Sequence, residues 1–129
     1  MQFGLETSPV GRCVSEWTAL QCTHAARVGA EVPMVKHIVF FRFKPEVPKS
    51  EREQFLQMLR GLPEQIEEIA DFQAGHDVVR RERSYDMALV SSFVDLAALD
   101  RYAKHDHHQP VIRCSRELCS SVVSVDFEY

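Results

Sequence analysis

Apolar and polar positions alternate most sharply between Val35 and Phe43, which reads Val-Lys-His-Ile-Val-Phe-Phe-Arg-Phe. In a strand, Val35, His37, Val39, Phe41 and Phe43 share one face, while Lys36, Ile38, Phe40 and Arg42 share the other. Both faces are apolar at their centre. A half-exposed antiparallel strand alternates cleanly, whereas one covered on both sides need not. The second face therefore needs a cover beyond this chain's own helices, and the expectation is a partner subunit.

Pro45 and Pro48 end the strand. Ser50-Glu-Arg-Glu53 then has the form of a capping box, which predicts reciprocal bonds between Ser50 and Glu53 at a helix start. Phe55, Met58, Leu59 and Leu62 form the predicted buried stripe; Gly61 is expected to close the helix in a left-handed turn, with Pro63 forbidding continuation. Ile66 and Ile69 lead into a weaker strand ending near Gly75, and Arg80–Arg83 reads as a solvated loop. Tyr85–Phe93 predicts a third strand, with Met87, Leu89, Ser91 and Phe93 on one face. Asp95 caps a helix in which Leu96, Leu99, Tyr102 and Ala103 recur at helical spacing. Val111, Ser115, Leu118 and Val122 repeat that spacing, and Val122–Phe127 closes the chain as a strand. There Val123, Val125 and Phe127 face one way, Ser124 and Asp126 the other.

The resulting order, strand–helix–strand–strand–helix–strand, is the ferredoxin-like arrangement of an α+β fold with a four-stranded antiparallel sheet. Helices on one face leave the opposite, partly apolar face bare, and a patch of that kind marks an interface. Two such sheets face to face make a dimeric α+β barrel through a self-complementary contact. The expected partner is a second copy of the chain.

Residues 1–33 differ in character. Ser15 would cap a short helix through Glu16, Trp17, Leu20 and Ala25, but the periodicity is weak; a short appended helix and a loosely held arm fit equally. No basic start precedes an apolar core and cleavage site, so a secretory signal is not expected. Met34 reads as the beginning of the domain, which spans 34–129.

The 129 residues fit one domain, with 45% hydrophobic and 26% charged residues. A net charge of −4 without a basic stripe argues against nucleic acid, and no apolar run approaches a membrane span. Cys114 and Cys119, if they share a helix, sit roughly 8–9 Å apart, too far to bridge. With Cys13 and Cys22 they read as reduced, structurally minor thiols of a cytoplasmic protein.

The chemistry concentrates in Tyr102-Ala-Lys-His105-Asp106-His107-His108-Gln-Pro110, where one helical pattern stops and another starts. Tyr102 looks inward from the last turn of the first helix, and Pro110 suits the first turn of the second, where its missing N–H costs nothing. Imidazole is the side chain that titrates near physiological pH, and a phenol beside it supplies a directional O–H.

Val35-Lys-His-Ile-Val-Phe-Phe-Arg-Phe-Lys44, Ser84-Tyr-Asp-Met-Ala-Leu-Val-Ser-Ser-Phe93 and Tyr102-Ala-Lys-His-Asp-His-His108 resemble the stress-responsive A/B barrel (Dabb) domain family. The resemblance covers about Met34 to Tyr129. It implies a homodimeric α+β barrel with a cavity between sheet and helices in each subunit. The family's best-defined activity is that of a plant olivetolic acid cyclase, which closes a linear polyketide by an aldol step. By that resemblance Tyr102 and His108 are the candidate catalytic pair and His37 matches the cyclase's first-strand histidine; the candidate ligand-binding positions are His37, His105, Met87 and Leu59. The cyclase's third-strand pocket histidine falls on Met87 and its first-helix pocket tyrosine on Leu59. The family corner usually reads His-Pro-x-His; Asp106 stands here in place of the proline. The acid–base pair is present while the substrate-shaping polar groups are not.

Two function classes follow. One is a barrel that binds a small hydrophobic or aromatic ligand without turnover. The other is a cofactor-independent lyase or cyclase, in which His108 takes a proton α to a carbonyl and Tyr102 stabilises the enolate. Neither requires a metal or organic cofactor. His105, Asp106, His107 and His108 are all possible metal ligands, but consecutive corner residues splay apart and only His76 and Asp77 are spare to complete a shell. His107, unmatched in the family motif, is expected to face solvent.

Overall fold

The structure, a computed structural model, describes residues 32–129. The expectations for the Ser15 helix and for Cys13 and Cys22 lie outside the described residues. The elements in order are β1 (Val35–Phe43), α1 (Lys49–Arg60), the single turn α2 (Leu62–Gln65), β2 (Asp71–His76), β3 (Met87–Phe93), α3 (Leu96–Lys104), a 3-10 turn at Asp106–His108, α4 (Gln109–Leu118) and β4 (Cys119–Glu128). All strand pairs are antiparallel in the order β2-β3-β1-β4, the ferredoxin-like topology.

β1 lies inside the sheet, and its alternation is the one its sequence predicts. Val35, Val39, Phe41 and Phe43 are buried against the helices. Phe55 of α1 meets Phe41 and Phe43 edge-on, with ring centroids 5.2 and 6.0 Å apart, the geometry aromatic quadrupoles favour. On the opposite face no helix among the described residues covers the sheet. Phe40, Val123, Val125 and Phe127 there keep 43%, 43%, 60% and 46% of their surface exposed. Among the described residues no helix is long and apolar enough to cross a membrane.

Several local expectations are corrected. The Ser50–Glu53 capping box does not form: Pro48 is the N-cap, and its carbonyl accepts from the Glu51 and Arg52 amides at 3.1 and 3.2 Å. Glu53 turns outward instead, to Gln57 (2.9 Å) and His76 (3.0 Å). Gly61 is right-handed, at φ −83°, because the chain runs straight into α2, whose first turn accommodates Pro63. The stripe of α1 is Phe55, Leu56 and Leu59, with Met58 outside. Cys119 opens β4 rather than extending the helix, and both it and Cys114 are free. Val122 accordingly belongs to the strand.

Candidate functional site

Asp95 accepts a hydrogen bond from the Ala98 amide at 2.8 Å and so starts α3. Its last turn carries Tyr102 into the interior, 1% exposed. The chain then straightens at His105 (φ −64°, ψ 142°), whose amide still bonds the Tyr102 carbonyl at 3.1 Å. The corner holds itself together: the His107 amide donates to Nδ1 of His105 (3.1 Å), the His108 amide to the His105 carbonyl (3.0 Å). Gln109 donates to the Ala103 and His105 carbonyls, and Pro110 enters the first turn of α4.

This construction folds His108 back over Tyr102. Their ring centroids lie 4.3 Å apart at 34°. Nδ1 of His108 lies 3.2 Å from the Ala103 carbonyl, which can only accept, so Nδ1 carries the proton. In the neutral ring Nε2 is then a free lone pair. Burial is the main influence on this imidazole and pushes its pKa below the ordinary 6.5, the Ala103 bond opposing it. Burial likewise pushes the Tyr102 phenol well above its ordinary range, so it stays a donor. The Tyr102 hydroxyl has no hydrogen-bond partner among the described residues.

From the sheet side His37 completes the group, its ring 5.8 Å from that of Tyr102 at 66°. The β1–β4 register sets His37 opposite Asp126, and Nδ1 of His37 hydrogen-bonds the Asp126 carboxylate. The exposed carboxylate orients the ring through Nδ1.

His37, Tyr102 and His108 border one cavity of about 330 Å³, walled by apolar side chains that include Val39, Phe41, Leu89 and Val111. Ser115, Ser124 and Arg116 add its further polar groups. On the other side of His37 a second cleft of about 320 Å³ opens between Leu99, Asp100 and Asp126. A larger depression of about 480 Å³ lies around Tyr85 and Met87 and takes in Phe40 and Ala88 of the open face. Its titratable lining groups include His76 and Asp77, which are engaged with Glu53 and the Arg80 amide.

The other sequence candidates lie elsewhere. Leu59 is fully buried in the core. Met87 is equally buried and borders the depression around Tyr85. His105 spends Nδ1 on the His107 amide and does not line the inner cavity. His107 is exposed. Among the described residues no three His, Cys, Asp or Glu side chains come together as a metal site requires. His76 pairs with Glu53, and Asp77 accepts from the Arg80 amide at 2.6 Å. Burial pushes the Cys119 thiol up to about 11 and raises that of Cys114, so neither is a ready nucleophile. Spacing alone does not mark Asp126, Ser124 or Arg116 as site residues. The signal for the first two was two polar residues in phase on the last strand.

A ferredoxin-like α+β chain with a helix-side cavity and one bare sheet face is the class of protein this geometry defines. More particularly, the chain belongs to the stress responsive A/B barrel domain family, whose model matches residues 35–129. An uncharacterised protein of Streptomyces coelicolor is 30% identical over 98 residues, covering 74% of this chain and all of the relative. A dimeric protein of unknown function and ferredoxin-like fold from Bacteroides fragilis is 30% identical at a TM-score of 0.66, covering 74% of this chain and 96% of its own. The hydroxynitrile lyase of Passiflora edulis shares the fold (TM-score 0.68, 74% and 93% covered), at 19% identity.

Proposed function

We propose that the chain forms a homodimeric barrel that binds a small, mainly apolar ligand, bearing a hydrogen-bond acceptor such as a carbonyl, in the cavity of each subunit. One observation carries this reading: ring groups from three separate elements border one cavity, and the phenol among them has no hydrogen-bond partner among the described residues. The phenol is a donor on a residue that lines the cavity, and an acceptor on the ligand would pair with it. The bare apolar sheet face and the dimeric relative support the homodimer.

A second reading, cofactor-independent lyase or cyclase chemistry, is favoured by the state of His108. With Nδ1–H spent on Ala103, Nε2 is left as a base beside a protonated phenol. It would take a proton α to the ligand's carbonyl while Tyr102 donates to the oxygen on which charge develops. Such a base contributes about 10²–10⁴-fold. The fold is one that a hydroxynitrile lyase also uses.

A thermal-shift screen of aromatic and short polyketide-like ligands, repeated on Tyr102→Phe and His108→Ala, tests the site. Ligands that raise the melting temperature of the parent are expected to lose their effect in the variants, whose unliganded melting temperatures barely move. Strong destabilisation by both substitutions, with no ligand bound by the parent, would make the group purely structural. Deuterium exchange at the ligand's α carbon, lost in His108→Ala, separates turnover from binding.

A further inference from the structure

The inner cavity has an uneven charge. No aspartate or glutamate is among the residues that line it, and one cationic residue, Arg116, is. This is the reverse of the molecule as a whole, whose net charge is −4. Arg52, Arg80 and Arg101 are each within ion-pair distance of a carboxylate. Arg116 has no ion pair and no side-chain hydrogen bond among the described residues, and it stands exposed on α4.

The remaining polar groups narrow the choice of what Arg116 could meet. The Ser115 hydroxyl is spent on the Ile112 carbonyl at 2.8 Å. Neutral His108 offers a lone pair at Nε2 and cannot donate there. Tyr102 offers one neutral O–H at the corner end of the cavity. Arg116 follows His108 by eight positions, which is about 12 Å along the helix axis. The cavity thus has an acid–base end formed by Tyr102, His108 and the Asp126-paired His37, an apolar middle and a cationic rim. Its volume, about 330 Å³, is roughly twice the ~150 Å³ that takes up benzene. That admits one ring with a short chain, or a chain alone.

We propose that the ligand is an amphipathic monocarboxylate, its apolar body among Val39, Phe41, Leu89 and Val111 and its carboxylate paired with Arg116. This rests on the binding reading given above and adds the ligand's chemical class. A guanidinium presents the planar fork that a carboxylate matches in two hydrogen bonds, and an arginine at a rim keeps its charge in water until the ligand arrives.

The test uses matched pairs: hexanoic and 3-phenylpropanoic acids, each against its own primary amide. Affinities are measured by titration calorimetry at low ionic strength on the full chain and on Arg116→Gln and Arg116→Lys. At pH 8, above the ordinary titration range of imidazole, the arginine is the charge in question. Each acid is expected to bind about five- to tenfold more tightly than its amide, the scale of a partly solvent-screened charge pair. Arg116→Gln should bring the acid down to the amide's affinity and leave the amide unchanged. Arg116→Lys should retain part of the preference, since the charge stays and the fork is lost. Equal affinities of acid and amide on the parent, or equal weakening of both by Arg116→Gln, would overturn the carboxylate assignment while the cavity reading stands. If neither acids nor amides bind at millimolar concentration, the small-ligand reading itself falls and takes this one with it.

Discussion

Replacing Val125 with aspartate puts one charge on the bare face of the sheet and asks whether that face is an interface. Val125 pairs with Ile38 in register and is 60% exposed in the single chain, so it contributes little to the subunit's own core. Covering what remains of its side chain is worth about 1 kcal/mol, given 1.5–3 kcal/mol for full burial of an aliphatic side chain. An unpaired carboxylate pressed against Phe127 and Val123 adds at least another ~1 kcal/mol of lost hydration. In a two-fold interface each change enters twice. The dimer should therefore weaken by at least about 4 kcal/mol, close to a thousandfold in Kd. Light scattering at micromolar protein should give about twice the 14.8 kDa chain mass for the parent and a single chain mass for the variant. Circular dichroism should show the same folded subunit in both. A monomeric parent, or a variant whose dimer weakens less than tenfold, would refute the assignment of this face.

Leu59→Ala removes a fully buried side chain and should cost about 2–5 kcal/mol, roughly 10–30 °C in Tm for a domain of this size. If Leu59 instead shaped the ligand site, affinity would change while Tm held. Asp95→Ala deletes the carboxylate that caps α3 and should lower stability by about 1 kcal/mol; an unchanged denaturation midpoint would contradict that role. His108 has a folded-state pKa depressed by burial, so the unfolded chain binds its proton more readily. Its effect is absent above the unfolded value near 6.5 and destabilises the fold as pH falls through and below it. The difference in stability between pH 7.5 and 5 should shrink in His108→Gln; an identical pH profile would rule out that contribution.

What could be read from the chain alone followed the physics of repetition. A period of two is visible along β1 because each burial choice is repeated down the strand, and the Asp95 cap is visible because a cap acts within three residues. Ser50–Glu53 has the same local form, but Pro48 supplies the first carbonyl two residues earlier, and Arg52 is drawn back to the Val47 and Lys44 carbonyls at 3.0 and 3.3 Å. Competition of that kind is set by tertiary geometry. Tyr102 and His108 come together because the corner between them is short and self-bonded. The His37–Asp126 pair spans 89 positions and depends on strand register, which no local pattern specifies. Arg116 looked like any solvated arginine until the cavity beside it had walls.

β1 also brings two surfaces into contact that are usually far apart in a protein. His37 and Val39 border the cavity, while Ile38 and Phe40 lie on the opposite face, where pairing is proposed, so pocket and proposed interface are separated by one peptide unit, about 3.8 Å. Thermodynamic reciprocity then applies at very short range. Whatever free energy a ligand gains from the paired state must be returned as tighter pairing in the presence of ligand. The thickness of a single pleated strand is the whole distance over which occupancy and association would have to communicate.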